Sequence, residues 1–316
     1  MLYLLIFVLG AALGGQLNRG IYGLAWRRRA ISPWSEPPPG APPRRCTDLI
    51  PVLGWFGLRR ESAWHGPAFW VRPLLIELAA GLGAAWLYWW EVEQAALMPR
   101  AVPPPFPLSL LLAQYAGHVM LIALMLVATF IDFDEKTIPD AITVPGALLG
   151  LVLFTLVPAA APPVVQATIS GPWQVAPLLF TAPNAWPKSL DAWPGLGLAA
   201  CFVGWCLAIW PKTSTLRRGW IRGLRYVVVS MFRLAWWPFY PLLALAGCVG
   251  AAAVWLLGGP PWHALLTSLV GLAFGGGLIW AVRIVGGLSL KKEAMGFGDV
   301  TLMAMIGVYV GWQACL

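Results

Sequence analysis

The sequence predicts an all-α, polytopic integral membrane protein with about eight transmembrane helices and its N-terminus outside. Three observations predict it. Only 11% of the 316 residues are charged, against roughly a quarter in soluble domains, while 59% are hydrophobic and mean hydropathy is +0.73. Apolar runs of roughly 20 residues recur along the chain. Basic residues gather at alternate ends of those runs, the distribution of cytoplasmic loops.

The runs fall at approximately 2–25, 70–90, 109–131, 141–160, 193–210, 235–258, 263–283 and 299–315. Each is long enough, or nearly so, to satisfy its backbone internally as a helix, the only open-chain solution in lipid. The first has no basic stretch before it and Arg27, Arg28 and Arg29 after it, so it reads as a retained signal anchor. A cytoplasmic loop over about 27–69 follows, broken by Pro37, Pro38, Pro39, Pro42 and Pro43. It carries an apolar patch, Ile50–Phe56, that can pack or touch the bilayer. Tyr88-Trp89-Trp90 closes the second run as an interfacial aromatic belt. The stretch about 161–192 reads as an external loop rich in Pro, Ala and Thr, and the chain stops at Leu316 without a polar tail.

The net charge of +8 does not indicate nucleic acid. Arg44 and Arg45, Arg59 and Arg60, Arg217, Arg218, Arg222 and Arg225, and Lys291 and Lys292 all fall on the side assigned to the cytoplasm. Only Arg100 and Lys188 fall in outside loops, so the positive-inside rule holds nearly throughout. Trp236-Trp237 reads as a bilayer anchor rather than a base-stacking platform. Among Cys46, Cys201, Cys206, Cys248 and Cys315 there is no C-x-x-C pair, so neither a zinc site nor a disulfide framework is indicated. His65, His118 and His263 read as isolated interfacial residues. Gly275-Gly276-Gly277 reads as small-residue helix packing.

Chemistry points to the acids, because ionisable residues at membrane depth are expensive. The third run ends Ile131-Asp132-Phe133-Asp134-Glu135 and continues to Ile138-Pro139-Asp140. The last run opens Met295-Gly296-Phe297-Gly298-Asp299. The topology puts Asp132 and Asp299 at one membrane depth, where helix packing can bring them together. Paired carboxylates cannot both ionise cheaply and tend to share a proton. One can then act as base toward water while the other donates to a peptide carbonyl, the chemistry of aspartic proteases. The bland readings make Asp140 a helix N-cap and Asp134 and Glu135 solvated loop charges.

Ile131-Asp132…Ile138-Pro139-Asp140 and Gly296-Phe297-Gly298-Asp299 closely resemble the two signature motifs of the prepilin (type IV leader) peptidases, the bacterial G-x-G-D aspartyl peptidases. Leu302, Ala304, Gly307 and Gly311-Trp312 continue the pattern. Gly14–Asn18 resembles the family's G-S-F-L-N start, Ile50–Trp55 its I-P-x-x-S-W, and Arg72 and Glu77 its R-Y-P-x-x-E. The resemblance divides the chain into a degenerate N-terminal region, 1–92, and a membrane peptidase core, 107–316, with inserted spans at about 161–260. It implies Asp132 and Asp299 as the catalytic pair, with Gly296, Gly298, Pro139 and Asp140 as the supporting motif.

The activity implied is leader cleavage from type IV prepilins or type II secretion pseudopilins, on the cytoplasmic side of a bacterial inner membrane. No metal is required and no cofactor is expected for cleavage. Many members also methylate the new N-terminus with S-adenosylmethionine, an expectation that the degenerate N-terminal region weakens. The sequence departs from the pattern where Ser62 and His65 replace the second cytoplasmic C-x-x-C pair and where Thr301 replaces a Lys. The family also usually continues past the point where this sequence stops. Two rival readings remain: an inactive homologue scaffolding secretion machinery, and an ion- or proton-coupled transporter using the membrane acids. The presenilin-type peptidases fit worse, because Ile131 rather than Tyr precedes the first acid and no Pro-Ala-Leu follows.

Overall fold

Long apolar runs without interior breaks become helices here, and their ends fall where proline, glycine or charge interrupts them. A computed structural model describes residues 1–29, 31–166, 173–209, 239–290 and 295–316. The basic residues at 217, 218, 222 and 225, the Trp236-Trp237 pair, and Lys291 and Lys292 lie outside these. In chain order the helices are α1 (Leu2–Leu24), the short α2 (Gly54–Leu58) and α3 (Ser62–His65), α4 (Val71–Tyr88), α5 (Leu108–Glu135) and α6 (Asp140–Leu156). They continue as α7 (Trp193–Ala199), α8 (Cys201–Ile209), α9 (Phe239–Leu257), α10 (Gly259–Leu290) and α11 (Phe297–Val310).

Helix meets every expected run within the described residues, which makes this an all-α chain. Among the described residues five helical stretches are long and apolar enough to cross a membrane: α1, α4 with the π turn after it, α5, α9 and α10. α6, the α7–α8 pair and α11 are apolar but shorter, at 10–17 residues. The stretch read as loop is more ordered than expected. It holds an antiparallel hairpin of β1 (Pro163–Gln166) and β2 (Gln174–Pro177), in register from Pro163 opposite Pro177 to Gln166 opposite Gln174.

The two larger apolar clusters among the described residues organise the packing. One gathers Leu17, Ile21, Ile76, Val127, Ile131 and Ile142 with Trp55 and Leu58 from the loop. The other gathers residues of α6, α8, α10 and α11, with Trp262, Leu266 and Met305 at its centre. Leu124 and Leu302 pack against both, so α5 and α11 join the two halves. α10 and α11 approach until a Cβ on Gly271 would stand 2.0 Å from the Gly307 carbonyl oxygen, and one on Gly307 2.1 Å from that of Gly271. Only glycine on both helices permits this crossing. In lipid such close van der Waals packing, rather than hydrophobic transfer, holds helices together.

Several helix ends gather at two separate faces. At one face Glu135 accepts the N–H groups of Trp26 and Arg27 at 2.7 and 2.8 Å, and Asp134 pairs with Arg72 at 2.8 Å. The ends of α1, α4, α5, α6 and α11 meet there. At the other face Trp312 and Gln313, just past α11, donate to the carbonyls of Phe180 and Leu179 at 2.8 and 3.0 Å. Trp262 donates to Leu190 at 2.8 Å and Trp255 to Asp191 at 2.9 Å, so ring N–H groups satisfy the irregular backbone after the hairpin.

Candidate active site

The two acid motifs are built on different helix ends. α5 extends to Glu135, so Asp132 lies in its last turn, at the helix end where the sequence placed it. That turn closes where the Lys136 N–H reaches the Asp132 carbonyl at 2.8 Å, with Lys136 left-handed at φ 58°. The chain then crosses Thr137-Ile138-Pro139 without regular structure. Pro139 (φ −73°, ψ 135°) is the N-cap of α6, and its rigid φ starts the helix at Asp140. The N-cap expectation for Asp140 is therefore corrected. Its carboxylate instead accepts the Thr301 hydroxyl at 3.2 Å. On the second motif Gly296, extended at φ −68° and ψ 159°, caps α11, and Asp299 lies in the first turn.

These segments, far apart in sequence, dock on each other. A Cβ on Gly298 would lie 2.8 Å from the Ile138 carbonyl oxygen and 2.9 Å from its Cβ, so the two backbones meet where a side chain has no room. Ile131, beside Asp132, is fully buried in the same cluster that receives Ile138, Ile142 and Leu302, the last being three residues after Asp299. The Asp299 carboxylate folds back toward Gly296, where a Cβ would stand 3.5 Å from Oδ2. Both acids are half-buried. Among the described residues neither carboxylate is engaged in a hydrogen bond or ion pair.

Two supports were not legible as site residues. Arg283 of α10 donates from Nε to the Met295 carbonyl at 3.0 Å, and its guanidinium lies 5.7 Å from the Phe297 ring centre. It thus braces the turn before Gly298 from the α10 side. Thr143 of α6 is completely buried and donates to the Thr301 hydroxyl at 3.0 Å. The one available signal was a threonine in an apolar run three residues after Asp140, on the same helical face.

The remaining charges also depart from the bland readings. Asp134 and Glu135 are engaged, by Arg72 and by the Trp26 and Arg27 backbone. With Tyr22, Arg27, Arg29 and Thr137 they line a cavity of about 480 Å³ at the acids' face. Neither Asp132 nor Asp299 lines that cavity. The histidines are not isolated. His118 meets the buried Glu91 at 2.9 Å, His263 meets Asp191 at 3.1 Å while stacking on Trp186, and His65 lies 3.5 Å from Glu61.

The N-terminal motif fragments converge as well. Asn18, fully buried, donates to the Pro73 carbonyl at 2.9 Å and to Glu77 at 3.3 Å, and Glu77 accepts the Val52 N–H at 2.6 Å. Trp55 is buried nearby in the same half.

The fold and site define a class: a multi-pass, all-α membrane protein with two acid motifs docked at one face. Similarity narrows this. Over 148 residues the chain is 29% identical to a prepilin leader peptidase/N-methyltransferase of Myxococcus xanthus (strain DK1622), a match covering 47% of this chain and 39% of that protein. The aligned part is thus less than half of either. No family model and no solved structure matches the chain. A distant, partial likeness to a prepilin peptidase is what the comparisons add to the motifs.

Proposed function

We propose that the protein is a membrane aspartic endopeptidase of the prepilin peptidase kind, with Asp132 and Asp299 as its catalytic pair. One observation carries the reading: the Ile138–Asp140 segment and the Gly298–Thr301 turn, 161 positions apart at the Asp140–Thr301 bond, pack against each other. In this reading that contact brings the helix ends carrying Asp132 and Asp299 to one face. One carboxylate takes a proton from water as the water oxygen attacks the scissile carbonyl. The other, protonated, donates to that carbonyl oxygen as it becomes an oxyanion. Collapse returns a proton to the departing amine. The paired acids activate water themselves, so the reading asks no metal of the site.

In this proposal the acids' face is cytoplasmic, the N-terminus is outside, and the shorter helices α6, α7–α8 and α11 complete eight spans of a bacterial inner membrane. The substrates are type IV prepilins or pseudopilins. Methylation of the new N-terminus would require S-adenosylmethionine, and it is no part of the cleavage chemistry. The test is co-expression with a tagged type IV prepilin, followed by mass spectrometry of the pilin's N-terminus. Leader removal is expected with the wild type and none with Asp132→Asn or Asp299→Asn, because one acid cannot fill both roles. Robust processing by either variant, with the protein still inserted, overturns the mechanism.

A further inference from the structure

Thr301 stands where the family pattern has a lysine, and its surroundings give it work that a lysine would not do. It is 3% exposed, between α11 and α6, and its hydroxyl is the hub of a chain across the two helices. It accepts from Thr143 Oγ1 at 3.0 Å, and it faces both Asp140 Oδ1 at 3.2 Å and the Gly298 carbonyl at 3.0 Å. A lone threonine in an apolar helix can satisfy itself on its own backbone three or four residues back. Thr301 has that option at Gly298, but from α6 Thr143 donates to its oxygen and Asp140 competes for its one proton. Higher on the same interface, Tyr309 donates to the Gly146 carbonyl at 3.0 Å, a second rung between the helices.

We infer that Thr301 is a positioning residue for Asp299, an inference that rests on the paired-acid reading above. The two residues are two apart on α11, about 200° round the helix, so Thr301 faces α6 while Asp299 leaves on the other side. Fixing Thr301 against Asp140 and Thr143 therefore sets the rotation of the turn that presents Asp299. A rotation of about 10° at a side-chain radius of about 5–6 Å moves a carboxylate by about 1 Å. Misplacement on that scale costs a reaction about a hundredfold. Asp140 completes the link, because its own segment leads directly back to the helix end that carries Asp132.

The test compares Thr301→Val, which keeps the shape and loses the hydroxyl, with Thr301→Ser, which keeps the hydroxyl. Both are assayed in the full-length protein on a tagged type IV prepilin. Thr301→Val should lower kcat by about tenfold to a hundredfold with KM nearly unchanged, and Thr301→Ser should restore most of it. Asp140→Ala combined with Thr301→Val should lose no more than Thr301→Val alone, since both act through one bond. A second readout is independent of turnover. Oxidative cross-linking of an Asp132→Cys/Asp299→Cys pair, in a background without the natural cysteines, should slow several-fold with Thr301→Val and recover with Thr301→Ser. Wild-type kcat and unchanged cross-linking in Thr301→Val, or a Thr301→Ser no better than Thr301→Val, overturns the positioning role while leaving the dyad intact. A cysteine pair that fails to cross-link even with Thr301 present overturns the dyad, and this role falls with it.

Discussion

Gly296 and Gly298 are alike in the motif but not in their surroundings. Alanine at 296 would meet only ordinary van der Waals contacts, the nearest being Asp299 Oδ2 at 3.5 Å. Alanine at 298 would strike the Ile138 backbone at 2.8 Å, and backbone cannot rotate away as a side-chain tip can. Gly298→Ala should therefore cost about 1–3 kcal/mol in stability and about tenfold or more in turnover as the acids separate. Gly296→Ala should leave the melting temperature nearly unchanged; parallel thermal and cleavage assays of the two variants check the contrast. Asp134 is a different case. Its pairing with Arg72 is about a third exposed, and such pairs contribute about 0–1 kcal/mol. Asp134→Asn should keep most cleavage activity, and loss comparable to Asp132→Asn would move the catalytic role to the wrong acid.

At the scale of elements, ion pairs hold the proline-broken loop between α1 and α4 together. Arg44 grips the completely buried Glu61 with two nitrogens, at 3.0 and 2.9 Å, and Arg60 holds Asp48, which is only 2% exposed. The apolar patch splits: Trp55 turns into the core, while Ile50, Leu53 and Phe56 remain outside. Hydrogen bonding from Arg60 holds the Asp48 carboxyl below its ordinary value of 3.8. A depressed acid contributes its full stabilisation above the unfolded pKa of about 4 and loses it as pH falls through the lowered value. Protection against hydrogen exchange over residues 45–61, corrected for the pH dependence of the intrinsic rate, should thus be flat from neutrality to about pH 5 and fall below about pH 4. Arg60→Ala leaves the buried Asp48 carboxylate with the Arg45 N–H but no cation, and should open the same segment at neutral pH, by about 1–3 kcal/mol of lost protection.

Across the whole molecule, helix length sets the relation to the bilayer. α6 and α11, at 17 and 14 residues, extend about 26 and 21 Å, short of a hydrocarbon core of about 30 Å. In the eight-span reading the remainder is the turn at Pro158–Ala160, the hairpin and the segment through Asp191, where Trp255, Trp262, Trp312 and Gln313 meet backbone carbonyls. Non-helical backbone is tolerated near lipid only when it is satisfied in this way. Single thiols at Thr137→Cys and Asn184→Cys, both exposed sites, should label from opposite sides of the membrane. Labelling from one side would overturn the eight-span reading and the cytoplasmic placement of the acids.

Much was decided by the residues alone. Apolar runs in lipid have one open-chain solution, so composition and run length were enough for the helices. The Ile131–Asp140 and Gly296–Asp299 patterns were enough to nominate the acids. Partners were not legible, because partnership depends on three-dimensional approach. Asp140 looks like an N-cap until Thr301 is seen beside it, and Glu135 looks solvated until two N–H groups from the end of α1 reach it. The histidines looked alone because their carboxylates lie 27 and 72 positions away, or on a loop turn that the sequence left undefined. Sequence periodicity fixes which side of a helix is apolar. Only packing decides which polar group on another helix comes within about 3 Å of it, as Thr301 does of Asp140.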